Sequence, residues 1–294
     1  MQFQNIVFPV DFSERTRAVA PFVQSLARRS GATLTLLHVI PPPPVYFDLG
    51  AVYPDVSISG SDTEAAEARL REIAKDEFPH VNVRCAVVNG DPAHSIISFA
   101  QEANADLIAL PTHGYGLFHR FLLGSVTAKV LKDSTIPVWT SAHALDASHR
   151  AHPQPRTIIA AIDLKEASCS SDRRSQRTLQ TALALAWEAG AAVEILHIAP
   201  EGTTSSIASE LRVERAVAQA VGAGSVPVER APATETQITQ QGESIAQVVR
   251  RVALLKRADL LVIGRGGIHG NLLDRLHSHD YEVICESPCP VLSV

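Results

Sequence analysis

Apolar residues in this chain fall into short continuous runs, and the stretches between the runs are longer and mix apolar with polar residues. Short continuous apolar runs are typical of parallel strands that are covered on both faces of a sheet. Because the intervening stretches are long enough for helical crossovers, the alternation predicts a doubly wound α/β fold. The expected strands lie at residues 5–10, 33–39, 83–88, 106–110, 137–141, 157–162, 192–198, 226–230, 259–263 and 290–294.

The second half of the chain repeats the first half. The segment Ala105–Leu110 recurs 153 residues later as Ala258–Ile263. Ile136-Pro-Val138 recurs at the same spacing as Cys289-Pro-Val291. A chain of 294 residues is long enough for two domains of this size. We therefore predict two doubly wound, five-stranded parallel-sheet domains, arranged as a first repeat at 1–142, a linker at 143–156 and a second repeat at 157–294.

The first helix carries recognisable signals at both ends. Ser13 can cap its N-terminus, and we expect the helix to end near Gly31. Pro21 interrupts the helical pattern, which predicts either a kink or a later start of the helix. Residues 46–61 combine turn formers and aromatic residues without a regular period, so we interpret them as a loop.

Charge and composition argue against several classes of protein. The chain carries 26 lysine and arginine residues against 31 aspartate and glutamate residues, a formal net charge of -5, and has no basic run. Neither nucleic acid nor an anionic membrane is therefore an expected partner. The chain start lacks a signal-peptide pattern, and no apolar stretch reaches the roughly 18 residues of a membrane span, so we expect a cytoplasmic protein. Its sparse cysteines are expected to be buried or free thiols in a reducing compartment: Cys85, Cys169, Cys285 and Cys289.

Two strand ends carry the residues best suited to bind a ligand. In doubly wound sheets the ligand crevice lies beyond the carboxyl ends of the strands. The first strand ends in Pro9-Val10-Asp11, and the fourth runs into the glycine-containing loop 111–116. Gly124-Ser125 then opens a helix, and the backbone N–H groups at a helix N-terminus attract anions. The residues therefore predict an anion site at this edge of the first repeat.

These motifs also resemble those of a known family. The chain resembles a tandem universal stress protein, with two UspA-type domains in one polypeptide. The resemblance implies a Rossmann-like fold of the adenine-nucleotide alpha-hydrolase type, with the last strands of the two repeats paired as an internal pseudo-dimer. It covers nearly the whole chain except the linker, and its motifs are Val7-Phe-Pro-Val-Asp-Phe-Ser13, Leu37-His-Val39, Gly90-Asp-Pro92, Ala105-Asp106, Thr112-His-Gly114, Leu123-Gly-Ser-Val126, Lys129-Val130 and Ile136-Pro-Val138.

The resemblance extends to a nucleotide signature. ATP-binding members of the family carry Gly-x2-Gly-x9-Gly-Ser/Thr, and the first repeat has Pro111-x2-Gly114-x9-Gly124-Ser125. Proline at the first position departs from the pattern and removes a backbone donor. The implied nucleotide-binding residues are Pro9, Val10, Asp11 and Val39 at the adenine and ribose, Gly114, Gly124, Ser125 and Val126 at the phosphates, and Leu110, Pro111, Thr112 and His113 where strand four meets its loop.

Several of these residues also have a plainer interpretation. Asp11 and Ser125 are each suited to cap a helix. His113 either assists proton transfer or fills a turn, and the turn is the favoured interpretation. His38 and His197 occupy equivalent strand positions, which indicates a shared structural hydrogen bond rather than catalysis.

The second repeat departs further from the signature. It reads Gly264-Arg-Gly-Gly267 and, nine residues later, His277-Ser278, so a histidine replaces the third glycine. A side chain at that position should crowd the phosphates, and we expect this repeat to be degenerate and structural. Arg265 could still attract an anion. A metal site is a less favoured alternative for His269, His277, His279 and Asp280.

The expected function is binding of ATP, ADP or AMP in the first repeat, by a stress-response sensor or regulator; an accompanying Mg2+ is left open. The sequence shows no P-loop, no dinucleotide fingerprint and no catalytic triad, so hydrolysis is at most slow. Two alternatives stay open: an interaction module with two degenerate sites, motivated by Pro111 and His277, and a slow metal-dependent ATPase using Asp11 or His113. An unidentified protein partner and a homodimer are also left open.

Overall fold

The structure is a computed structural model, and its described residues form two compact units. The N-terminal unit comprises Phe3–Leu110 and Ser125–Ile136. The C-terminal unit comprises Pro111, residues 123–124 and the described residues from Pro137 onward. The described residues are 3–42, 60–111, 123–141, 154–162, 169–199, 233–239, 244–265 and 279–294, with the backbone alone at 169–172, 198–199, 233–239 and 279.

The N-terminal unit is a parallel sheet with helical crossovers. Its elements are β1 (Asn5–Pro9), α1 (Glu14–Ser30), β2 (Thr33–Ile40), α2 (Gly60–Glu77), β3 (Asn82–Asn89), α3 (Pro92–Glu102), β4 (Leu107–Leu110) and α4 (Ser125–Asp133). The strand order is β3-β2-β1-β4, and all three pairings are parallel. The order therefore reverses between β1 and β4, which is where doubly wound sheets open a crevice.

The C-terminal unit repeats this plan and adds one strand from the first repeat. Its elements are β5 (Val138–Thr140), β6 (Thr157–Ile162), α5 (Cys169–Ala189), β7 (Ala192–Ala199), β8 (Ala233–Thr239), α6 (Ile245–Leu255), β9 (Leu260–Ile263), α7 (His279–Glu286) and β10 (Val291–Ser293). The strand order is β5-β10-β9-β6-β7-β8. All pairings are parallel except that of β5 with β10, which is antiparallel.

The pairing of β5 with β10 joins the last strands of the two sequence repeats. Leu292 lies opposite Trp139, and Ser293 lies opposite Val138. The side-chain hydroxyl of Thr140 also donates a hydrogen bond to the Val291 carbonyl, at 3.3 Å. The predicted pairing of the last strands within one chain is thereby confirmed.

One described strand of the second repeat was not predicted. It is Ala233–Thr239, which pairs along its whole length with β7. Its sequence, Ala-Thr-Glu-Thr-Gln-Ile-Thr, lacks the continuous apolar run that we used to find strands, because it lies at one end of the strand order and is not a central strand. Residues 226–230 lie outside the described part of the chain. The other strands are found within one or two residues of their predicted bounds.

Helix α1 begins and ends at the predicted residues. The Ser13 hydroxyl accepts a hydrogen bond from the Thr16 backbone N–H, and Gly31 closes the helix in the left-handed conformation, with φ 62°. Pro21 lies inside the helix, so a later start of the helix is wrong. The helix continues through the proline because one side of it is buried, and this burial stabilises the helix as a whole. The predicted loop at 46–61 is too long at its end, since Gly60 is already the first residue of α2; residues 46–59 lie outside the described residues.

The two repeats share a brace at the amino ends of their first strands. The Asp106 carboxylate accepts hydrogen bonds from the backbone N–H groups of residues 4 and 5, at 2.6 and 3.2 Å. Asp259 accepts from residues 156 and 157 in the same way, at 2.7 and 3.0 Å. This contact explains the repeated Ala-Asp motif, and it lies at the edge of the sheet opposite the predicted ligand site.

Candidate functional site

The carboxyl end of β1 is fixed to β2 by two hydrogen bonds at Val10. Its backbone N–H donates to the Leu37 carbonyl at 2.8 Å, and its carbonyl accepts from His38 Nδ1 at 2.7 Å. Because a carbonyl can only accept, the proton of this histidine is on Nδ1. The second repeat has the same contact, from His197 Nδ1 to the Ile162 carbonyl at 3.2 Å. The predicted structural role of the two histidines is confirmed.

Asp11 follows this point and turns toward the start of α1. Its Oδ1 atom accepts hydrogen bonds from the Ser13 backbone N–H at 2.9 Å and from the Thr16 hydroxyl at 2.5 Å. Burial acts to raise the pKa of Asp11, but the hydrogen bonds from Ser13 and Thr16 outweigh it and hold the pKa below its usual value. Asp11 is therefore an exposed, ionised carboxylate at neutral pH. Ser13, not Asp11, is the N-cap of α1. Asp11 holds the capping residue in place by accepting a hydrogen bond from its backbone N–H.

Phe12 is a neighbour of this carboxylate that the sequence did not single out. Its backbone adopts φ 60°, a left-handed conformation that is uncommon for any residue but glycine. Its ring lies 4.4 Å from the His38 ring, between centroids, and the Arg69 guanidinium lies 3.9 Å from its centroid. Strained backbone of this kind concentrates at functional sites. The sequence could have indicated Phe12, because it directly follows Asp11 at the end of the first strand. Nothing in the sequence indicates Arg69.

The Gly90-Asp-Pro92 motif shapes the carboxyl end of β3. Gly90 has φ 145°, and a Cβ there would lie 2.6 Å from the Ser95 hydroxyl, so glycine is required. The Asp91 carboxylate caps α3 by accepting from the His94 backbone N–H at 3.0 Å. Lys129 of α4 approaches the same carboxylate at 3.5 Å, which links the start of α3 to α4. The motif thus positions helices beside the strand ends.

The end of β4 and the start of α4 are described on either side of the strand-four loop. Leu110 is buried, and α4 begins at Ser125, whose side chain is exposed. Val126 lies in the first turn of α4. Thr112, His113 and Gly114 lie outside the described residues, and their predicted roles stay predictions. Within the N-terminal unit, the structure therefore describes these predicted site residues: Pro9, Val10, Asp11, Val39, Leu110, Ser125 and Val126.

The corresponding edge of the second repeat is different. Gly264, the counterpart of Pro111, lies under Arg174 of α5: a Cβ on Gly264 would be 2.3 Å from Arg174 Cγ and 2.8 Å from the Thr178 hydroxyl. Arg265 follows, with its backbone N–H donating to the Val294 carbonyl at 2.9 Å. Burial, assisted by the neighbouring charge of Arg177, lowers the pKa of Arg265 to about 10. The described residues at this edge of the second repeat include two arginines, Arg174 and Arg265. Asp163, Gly266, Gly267, His277 and Ser278 lie outside the described residues.

The cysteines in the described part of the chain fit the thiol prediction. Cys85, Cys285 and Cys289 form no disulfide bond. Burial raises the pKa of Cys285 to about 11 and that of Cys289 to about 12, so both thiols stay protonated at neutral pH.

Among the described residues, no three His, Cys, Asp or Glu side chains are grouped to hold a metal. His269 and His277 lie outside the described residues, so the metal site that they would form stays a prediction. None of the helices in the described ranges is both long and apolar enough to cross a membrane.

The fold defines a class of protein: a doubly wound α/β protein whose strand order reverses between β1 and β4. The model of the universal stress protein family matches residues 2–141 and again residues 155–294. The chain therefore belongs to the universal stress protein family, with two family domains in tandem.

Individual proteins are also similar to this chain. The universal stress protein Sll1654 of Synechocystis is 32% identical over 140 residues, which cover 47% of this chain and 85% of the relative. A solved universal stress protein from Archaeoglobus fulgidus superposes with a TM-score of 0.70 at 23% identity, over 98% of this chain and 95% of its own. A universal stress protein solved in complex with cAMP covers 49% of this chain and 99% of its own, at 22% identity, with a TM-score of 0.37.

Proposed function

We propose that the first repeat binds ATP or a related adenine nucleotide, ADP or AMP, at the carboxyl ends of β1 and β4. The observation that carries the proposal is the position of Asp11. Hydrogen bonds from Ser13 and Thr16 hold its carboxylate ionised beside the point where the strand order reverses. A carboxylate in this place is a strong acceptor for a ribose hydroxyl or an adenine amine.

The remaining roles follow from the positions of the strand and helix ends. Val10 and Val39 close β1 and β2 and border the adenine, while the backbone N–H groups at Ser125 and Val126 face the phosphates. The other proposed nucleotide-binding residues, carried over from the family signature, are Pro9, Leu110, Pro111, Thr112, His113, Gly114 and Gly124.

We propose that binding serves regulation of a stress response rather than catalysis. In this account nucleotide binding at the start of α4 changes the surface that the first repeat offers to a protein partner, in the cytoplasm. The buried thiols, which form no disulfide bond, are consistent with a reducing compartment. The proposed domain boundaries are 1–142 and 157–294, with the linker between them.

We propose that the second repeat is structural and binds no nucleotide. Arg174 covers Gly264 at the strand end that corresponds to the nucleotide edge. Arg265 at that edge could still attract an anion.

The direct test is to denature freshly purified protein and to identify any released small molecule by mass spectrometry. The proposal expects an adenine nucleotide from the wild-type protein, and none from Gly124→Asp, because a new carboxylate would repel the phosphates. Should the wild-type protein release no nucleotide and give no binding heat with ATP and Mg2+, both with the same preparation, the interaction-module alternative replaces this proposal.

A further inference from the structure

A residue of the second repeat contacts the segment that leads into the proposed phosphate site. The Tyr281 hydroxyl of α7 accepts a hydrogen bond from the Leu123 backbone N–H at 3.0 Å. The two residues are 158 positions apart in sequence and lie in the same compact unit. Leu123 directly precedes Gly124 and Ser125, at which α4 begins.

The surroundings of this contact make it specific. Leu123 is buried, with 7% of its surface exposed, so its N–H needs a protein partner. The Cys285 thiol, one turn along α7, is hydrogen-bonded to Tyr281 and also approaches the Leu123 N–H. Burial raises the pKa of Tyr281, which keeps the phenol neutral at physiological pH. A neutral, half-buried hydroxyl thus holds the backbone in place.

The equivalent position of the first repeat carries no hydroxyl. At the repeat spacing of 153 residues, Tyr281 corresponds to Ala128 of α4. The alanine side chain cannot accept a hydrogen bond, so this position differs between the two repeats. The asymmetry matches the proposed division into one binding repeat and one structural repeat.

We propose that Tyr281 is a positioning residue for the phosphate-binding segment of the first repeat, through its hydrogen bond to Leu123. This inference rests on the proposed nucleotide function. The hydrogen bond restricts the backbone before Gly124 and keeps the N–H groups at the start of α4 in a binding-competent arrangement. Without it a smaller fraction of molecules is competent, and the apparent affinity falls by that fraction.

The test is Tyr281→Phe, which removes the hydroxyl and keeps the ring. Loss of one such hydrogen bond should weaken ATP binding by about three- to tenfold in calorimetry. Adenosine, which lacks phosphates, should bind within about twofold of the wild-type affinity, because Tyr281 acts on the phosphate side alone. Glu282→Gln, the next residue of the same helix, is the matched control and should leave both affinities unchanged. Exchange of the Leu123 amide hydrogen, followed without nucleotide, should accelerate in Tyr281→Phe only.

The outcomes separate this inference from the function on which it rests. If the wild-type protein binds ATP and Tyr281→Phe binds it equally well, the positioning role is overturned and the proposed function stands. If ATP and adenosine lose affinity to the same extent, the residue supports the repeat in general and the positioning role is again overturned. If the wild-type protein binds neither compound, the proposed function fails and the inference fails with it.

Discussion

The residues at the carboxyl ends of the strands differ between the two repeats, although the strand order of the two sheets is the same. In the first repeat the edge carries the ionised Asp11 and the start of α4. In the second, Arg174 covers Gly264, and Arg265 follows it. Contacts that set the fold, such as the braces at Asp106 and Asp259, are retained in both. The contacts that hold the sheet together are therefore kept in both repeats, while the described residues beyond the carboxyl ends of the strands differ.

The largest effect is expected from removing the charge of Asp11. Asp11→Asn keeps the shape and one acceptor oxygen but loses the ionised acceptor, so ATP should bind about ten- to a hundredfold more weakly. The measurement is calorimetric titration with ATP. Asp163→Asn, the counterpart in the second repeat, is the matched control and should bind ATP as the wild type does. Equal losses in both variants would contradict the asymmetry of the two edges.

The next effect concerns the covered glycine of the second repeat. In Gly264→Ala the new methyl group would meet Arg174 Cγ at 2.3 Å, so the free energy of unfolding should fall by about 2 kcal/mol. Urea unfolding measures this change. Gly60→Ala, at a position with nothing within 4 Å, is the control and should not destabilise the protein. Adding Arg174→Ala should recover part of the loss, and no recovery would exclude the contact as its cause.

A smaller loss of stability, equal in the two repeats, is expected at the equivalent aspartates Asp106 and Asp259. Asp106→Ala and Asp259→Ala each remove the acceptor for two backbone N–H groups, and each should lower the free energy of unfolding by about 1 kcal/mol. Urea unfolding of the two single variants provides the comparison. A loss confined to one of them would show that the shared brace does not stabilise both repeats.

The smallest effect is the pH dependence of the Asp11 contribution. Because the pKa of folded Asp11 lies below its usual value of 3.8, its charge stabilises the fold above about pH 4 and the contribution disappears as the pH falls through the folded pKa. The side chain is exposed, so the change is small. The difference in unfolding free energy between wild type and Asp11→Asn should narrow from pH 7 to pH 3. A constant difference over that interval would contradict the assigned hydrogen bonds.

Much of the fold could be predicted because buried parallel strands and helix ends leave local signals. The central strands are continuous apolar runs, and Ser13 and Gly31 mark the ends of α1. The third strand of the second repeat could not be found in this way, because an end strand need not be apolar. Pro21 suggested a later start of α1, and that prediction is wrong because burial of the helix outweighs the local cost of proline.

The candidate site could be predicted only in part. Asp11 and the start of α4 follow strand and helix signals, but Arg69 reaches Phe12 from a helix more than fifty residues away in sequence. Tyr281 approaches Leu123 from the other repeat. Contacts of this kind depend on tertiary structure and leave no spacing in the sequence from which they could be inferred.

The number of nucleotides bound per chain tests the central claim most directly. Calorimetric titration of the ligand-free full-length protein with ATP and Mg2+ measures this number, with Gly124→Asp as the variant that should abolish binding. The account predicts one nucleotide per chain, bound by the first repeat. Two nucleotides per chain would contradict it, because the second repeat would then bind despite Arg174 and His277; no binding at all would leave neither edge with the proposed function.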